Sequence, residues 1–190
     1  MADDDYGFGE VPVAEIALAG QGTDRLTPAE CAAIQAYAYN GFEQINKALW
    51  GQIPMTPALA DRIDQIRSGL AKYPLPTRVR VSREAESKTF GIVDAASAHA
   101  LVFREFTHRG FLSASGSATP PRSRRHVDPV ILDLLVPQGT PALRLGELAE
   151  VRDEREVLLI DARTYFIVGV AMDAARNMWR IQAIVAEGEQ

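Results

Sequence analysis

The chain has 190 residues, 47% hydrophobic and 24% charged, with 20 basic and 25 acidic side chains giving a formal charge of −5. These values exclude a wholly disordered or fibrous chain and fit one domain that buries a core without disulfides or a structural metal. The acidic balance opposes general attraction to a polyanion, so any nucleic-acid contact must be local.

The longest apolar runs, 157–160 and 165–172, fall far short of the ~20 residues a membrane helix needs. Cys31 is the single cysteine and has no internal partner. With three scattered histidines it gives no zinc spacing, so no metal is expected. The segment 1–10 opens with Asp3, Asp4 and Asp5, where a conventional export signal carries basic and then apolar residues. The reading is therefore a soluble chain without such a signal. Its compartment stays open, and delivery into a target cell or host cytoplasm is compatible with it.

Residues 1–25 show no sustained period and read as a loosely attached lead-in before a domain spanning 26–190. Thr27, Pro28 and Glu30 form a capping-box start, and Cys31, Ile34, Ala38, Phe42, Ile45 and Leu49 then recur at helical steps. Asn40-Gly41 predicts a kink or break inside this run. Thr56-Pro57 starts a second helix over 57–72, stopped by Pro74 and Pro76. From Val79 the period changes to two, which predicts a strand with Arg83 on the face of Val79 and Val81. A short helix is expected over 94–101, a strand after Gly110 through Ser115, and a flexible loop over 115–125. Further strands are predicted over 130–136, 156–160, 165–170 and 179–185. Helices followed by many strands indicate an α+β domain with antiparallel sheets packed on each other and on the amino-terminal helices. The Gly7-Phe8-Gly9 start is no phosphate loop, because no strand precedes it.

Three groups of polar residues carry possible chemistry. Glu154 and Glu156, at i and i+2 on an extended segment, project to one side and can divide catalytic roles. Ser113 and Ser115 share the same spacing, and Arg83 is an inward-facing cation on a strand. Taken singly, each fits an ordinary surface or turn residue.

Read in order, Arg83, Ser113-Ala114-Ser115 and Glu154-Arg155-Glu156 resemble the R-S-E class of mono-ADP-ribosyltransferases, the arginine-specific, cholera-toxin-like enzymes of bacterial or phage toxin type. Glu30, Ala33-Ile34, Tyr37, Ile45-Asn46 and Leu49 are similar to that family's amino-terminal helix, and 136–140 to its proline-glycine turn. The resemblance implies an ADP-ribosyltransferase fold whose two packed antiparallel sheets form an NAD cleft. It implies that Glu156 hydrogen-bonds a ribose hydroxyl of NAD and that Ser113 orients its carboxylate. It also implies that Arg83 holds the phosphates, with Arg80 the weaker alternative, and that Ser115 lies at the cofactor site in a mainly structural role. Glu154 would engage the acceptor, an arginine exposed on a target protein. A toxin of this kind also leaves room for an immunity or inhibitor protein as partner.

The chain departs from the family pattern at Ala114, at Glu84 where glycine is common, and at Val151 where an aromatic is common. The loop after Ser115 offers Arg122, Arg124 and Arg125 in place of an aromatic. Two other readings stand beside transfer to protein: an NAD glycohydrolase, and a non-catalytic NAD- or RNA-binding module.

Overall fold

The computed structural model describes residues 7–123, 126–149 and 155–187. Glu154, Val151, Arg124 and Arg125 lie outside the described residues. A short helix α1 (Ala14–Ala17) precedes α2 (Pro28–Ala36), a π-helical turn (Tyr37–Gly41), α3 (Phe42–Leu49) and α4 (Pro57–Ala71). The Thr27 hydroxyl accepts from the Glu30 amide at 3.3 Å, and Glu30 Oε2 accepts from the Thr27 amide at 2.7 Å, so the capping box forms as its residues predict. Glu30 is buried and also takes hydrogen bonds from Ser68 (2.7 Å) and Lys72 (2.6 Å). Burial raises its pKa, but Lys72, the Thr27 amide and Ser68 outweigh that and bring it down to about 2.

The break expected at Asn40-Gly41 is the π-helical turn. A Cβ at Gly41 would lie 2.8 Å from the Ala36 carbonyl oxygen, which is why glycine occupies this position. The turn inserts one extra residue into the helical period, so Phe42 leaves the core face expected for it and stands 40% exposed.

After α4 come β1 (Val79–Glu86), the short helices α5 (Ser87–Phe90) and α6 (Ala95–His99), β2 (Glu105–His108), β3 (Leu112–Ser115), β4 (Pro129–Val136), β5 (Ala142–Arg144), β6 (Glu156–Leu159), β7 (Arg163–Asp173) and β8 (Met178–Val185). The two separate antiparallel sheets expected from the sequence are instead hydrogen-bonded as one sheet of eight strands, in the order β2-β7-β8-β4-β1-β3-β6-β5. The β4–β8 pair within it is parallel. The connection between halves is narrow. β1 pairs with β4 along its length, from Val79 opposite Val136 to Glu86 opposite Pro129, but meets β3 only at Ser82 opposite Ser115. Beyond that bridge β1 and β3 diverge. Val79 and Val81 of one half share an apolar cluster with Leu112, Ala114, Val157 and Leu159 of the other, so the halves still pack on each other as paired sheets would. A second cluster joins Ile34, Tyr37, Ile45 and Ile66 of the helices to Phe111, Leu143 and Leu158.

The segment 7–25, read from sequence as lead-in, buries Phe8, Ala14 and Leu18. The Arg80 amide donates to Pro12 O, and the Glu15 amide to Gly116 O, each at 2.9 Å. Gln21 brackets β5 through Ala142 O and the Arg144 amide. Among the described residues no helix is long and apolar enough to cross a membrane.

Candidate active site

The divergence of β1 from β3 opens a cleft of about 540 Å³ beside the π-helical turn, within the size range of small-molecule sites. Arg83, Ser113, Ser115 and Glu156 all line it, together with Tyr37, Phe42 and Asn46. Period-two alternation and strand register account for the convergence. Ser115 lies opposite Glu156, and Ser113, two residues earlier, falls on the same face. The Ser113 hydroxyl donates to Glu156 Oε1 in a short hydrogen bond. Glu156 is the first residue of β6, and its carbonyl accepts from the Leu145 amide at 2.9 Å, which ties its backbone to the residue that follows β5.

Arg83 is half-buried on the same face of β1 as Val79 and Val81. Among the described residues no carboxylate pairs with it. Burial pulls its pKa below the ordinary arginine value, opposed by the Tyr37 and Tyr165 hydroxyls. Arg83 also lines a neighbouring cavity of about 320 Å³ with Phe90, His108 and Tyr165. Burial, aided by the nearby Arg83 charge, lowers the His108 pKa to about 4, so this ring is neutral near pH 7.

Arg80, the weaker phosphate candidate, is excluded from the cleft by alternation. It projects from the opposite face of β1, where its Nε and NH2 donate to the two oxygens of buried Asp133 at 2.8 and 2.5 Å. Arg180 donates to the same carboxylate at 2.9 Å and to Asp173. This polar face carries the loop after β3. Ser82 Oγ donates to Ser117 O at 2.7 Å, and Arg180 donates to Ala118 O at 3.1 Å. The loop expected to be flexible has no regular structure over 116–123, but it is tied down at these points. Ser115 Oγ lies 2.8 Å from Ser117 Oγ and stabilises the turn into it. Arg122 lines the cleft and donates to Arg176 O at 3.1 Å.

Asn46 was noted in the sequence only as part of a motif. Its Oδ1 accepts from the Phe111 amide at 3.0 Å, and its Nδ2 donates to the Tyr37 hydroxyl at 3.1 Å. Tyr37 in turn donates to Phe111 O at 3.2 Å, and burial raises its pKa to about 12. A Cβ at Gly110 would stand 2.5 Å from Asn46 Oδ1, so glycine there lets the amide reach the strand that carries Ser113. Sequence reasoning missed the cleft residues Pro120, Pro121 and His126 altogether. They lie in a stretch without period, and only tertiary contacts bring them to the site.

The helix-braced, forked sheet recurs in solved structures at low sequence identity. It is shared with C3stau2 from S. aureus, in a structure with NAD (18% identity, TM-score 0.77, covering 93% of each chain). It is shared also with the toxin Plx2a from Paenibacillus larvae (21% identity, TM-score 0.73, covering 92% of this chain and 93% of that one). The ADP-ribosylating toxin BECa of a C. perfringens binary enterotoxin, in a structure with NADH, matches at 20% identity and a TM-score of 0.75 over 91% of this chain and 46% of its own, about half its length. The sequence has no significant match among curated proteins. A family model described as ADP-ribosyltransferase exoenzyme matches residues 17–186, and the chain belongs to that family. Its class of reaction is therefore NAD-dependent ADP-ribosylation.

Proposed function

We propose that the protein is a mono-ADP-ribosyltransferase toxin or effector that transfers ADP-ribose from NAD to an arginine of a target protein and releases nicotinamide. The observation that supports this reading best is that one cleft holds both a carboxylate oriented by Ser113 and an arginine without a carboxylate partner among the described residues. A desolvated guanidinium is a strong site for phosphate oxygens, which its planar fork can grip in pairs. That assigns Arg83 to the diphosphate. Ser115 lines the same cleft and shapes the wall that the dinucleotide meets.

When the bond between ribose C1′ and the nicotinamide nitrogen breaks, its electron pair leaves with nicotinamide and positive charge develops on the ribose. A fixed carboxylate at a ribose hydroxyl stabilises that charge more in the transition state than in the ground state. Glu156 has this role, and the Ser113 hydrogen bond keeps its oxygen from turning away. A guanidinium is a poor nucleophile because its pKa lies above about 12, so the acceptor nitrogen needs a carboxylate to orient it or take its proton as the bond to C1′ forms. The i+2 spacing and the family resemblance give that part to Glu154.

The test is incubation with labelled NAD and a cell lysate. Protein-bound label released by neutral hydroxylamine and retained in mercuric ion supports arginine. Label resistant to hydroxylamine removes the arginine assignment, and free ADP-ribose alone makes the protein a glycohydrolase.

A further inference from the structure

The wall of the cleft formed by Pro120, Pro121, Arg122 and Ser123 is not part of the sheet. β3 ends at Ser115, and 116–123 belongs to no helix or strand, so contacts other than a ladder must set the position of this wall. Three successive carbonyls at its root supply them, each taken by a different element. Gly116 O accepts from the Glu15 amide of α1 at 2.9 Å, Ser117 O from the Ser82 hydroxyl of β1 at 2.7 Å, and Ala118 O from Arg180 NH1 of β8 at 3.1 Å. At the far end, Glu84 Oε1 accepts from the Ser123 amide at 3.1 Å.

Of the three carbonyl ties, only that of Arg180 comes from a charged group, and two carboxylates clamp its guanidinium. Nε and NH2 donate to Asp173 Oδ2 at 3.2 and 2.8 Å, and NH1 donates to Asp133 Oδ2 at 2.9 Å. Asp133 is fully buried, and Arg80 holds both of its oxygens from the other side. Apolar side chains in place of a buried ionic group are often no less stable, so stability is a weak reason for this one. Direction is a better reason: with its plane fixed by two carboxylates, the guanidinium aims its remaining NH1 hydrogen at the loop. Arg180 itself lines neither of the two cavities, so any effect it has on a ligand passes through the loop.

On the reading of the cleft as an NAD site, we infer that Arg180 is a positioning residue for the dinucleotide, holding the wall at 120–123 in place before NAD arrives. Without that tie the loop must be ordered on binding, and the cost falls on substrate affinity. The chemical step is largely spared, because Ser113 and Glu156 stand on strands paired with each other.

The experiment compares wild type, Arg180→Lys and Ser82→Ala, each well below its own Tm, by trypsin cleavage after Arg122 and by steady-state kinetics on NAD. Lysine keeps a cation between Asp133 and Asp173 but not the planar fork; Ser82→Ala removes the neighbouring tie and no charge. The expected result for both variants is cleavage after Arg122 at least about tenfold faster than in wild type, with other sites unchanged. KM for NAD should rise roughly tenfold in Arg180→Lys, with kcat within a few-fold of wild type. A lower Tm with cleavage and KM unchanged would make Arg180 merely structural and overturn the inference, as would faster cleavage with an unchanged KM. If Arg180→Lys does not fold, wild type decides: rapid cleavage after Arg122 in the folded free protein is incompatible with a wall held in advance, and resistance with or without NAD supports it. Failure of wild type to turn over NAD at all is a separate result, which removes the proposed function and this inference with it, whatever the cleavage rates.

Discussion

Arg83 on β1 and Glu156 on β6 face one cleft, opened where β1 leaves β3, the neighbour of β6, and the proposed mechanism gives each a separable effect. Arg83→Lys keeps the charge and loses the two-pronged grip on phosphate. Steady-state kinetics should show KM for NAD rising roughly tenfold or more with a smaller change in kcat; an unchanged KM would move the phosphates elsewhere. Glu154→Gln should lose transfer to protein while NAD cleavage continues, a split measured by comparing protein-bound label with free ADP-ribose. Equal loss of both activities would contradict the division of roles. Alternation and family resemblance made Arg83, Ser113, Ser115 and Glu156 legible in the sequence, and the structure brings them to one cleft. Asn46 and Gly110 were less legible, because their function is a contact across 65 residues from Asn46 to the Phe111 backbone, which no periodicity encodes. Glu84 was visible only as a departure from a family pattern. Its hold on the Ser123 amide is a tertiary fact.

At the scale of elements, the start of α2 carries a pH dependence. Glu30 has a folded pKa of about 2 against an ordinary 4.5. A lowered carboxylate pKa contributes stability that is complete above the ordinary value and is lost as pH falls toward the folded one. Glu30→Gln should destabilise the protein by about 1–2 kcal/mol at pH 7, the scale of a lost cap with an ion pair. The gap in Tm from wild type should narrow between about pH 4.5 and pH 2; a gap independent of pH would contradict the assignment. The capping box, α4 and the strands β4, β6, β7 and β8 were readable because local chemistry or a clear period specifies them. The short strands β2 and β5 were not, since pairing with β7 and β6 supplies what their sequences lack. Phe42 was misplaced because a one-residue π-helical insertion cannot be seen in a period count.

For the whole molecule, the fork that makes the cleft is also its weak joint, as one residue pair links β1 to β3. The segment 7–25 braces that joint. Glu15 donates from its backbone to Gly116 and ion-pairs through its side chain with Arg155, the neighbours of Ser115 and Glu156, while Pro12 O binds the Arg80 amide on β1. Removing residues 1–25 exposes the sites of Phe8 and Leu18, a loss on the order of 3 kcal/mol and a fall in Tm of roughly 6 °C or more. NAD cleavage should fall with it even below the new Tm; a truncated protein with wild-type stability and activity would show that the brace is dispensable. A lone sheet bridge and a brace between distant segments leave no mark in a linear sequence, so the expected pair of separate sheets was right about the packing and wrong about the connection.

The central claim is that the carboxylate of Glu156 stabilises charge on the ribose as nicotinamide leaves. Nicotinamide release and NAD binding measured side by side for wild type and Glu156→Gln test it most directly. The variant should bind NAD within a few-fold of wild type and release nicotinamide at least about a hundredfold more slowly. Release at the wild-type rate from a folded Glu156→Gln protein would contradict the claim.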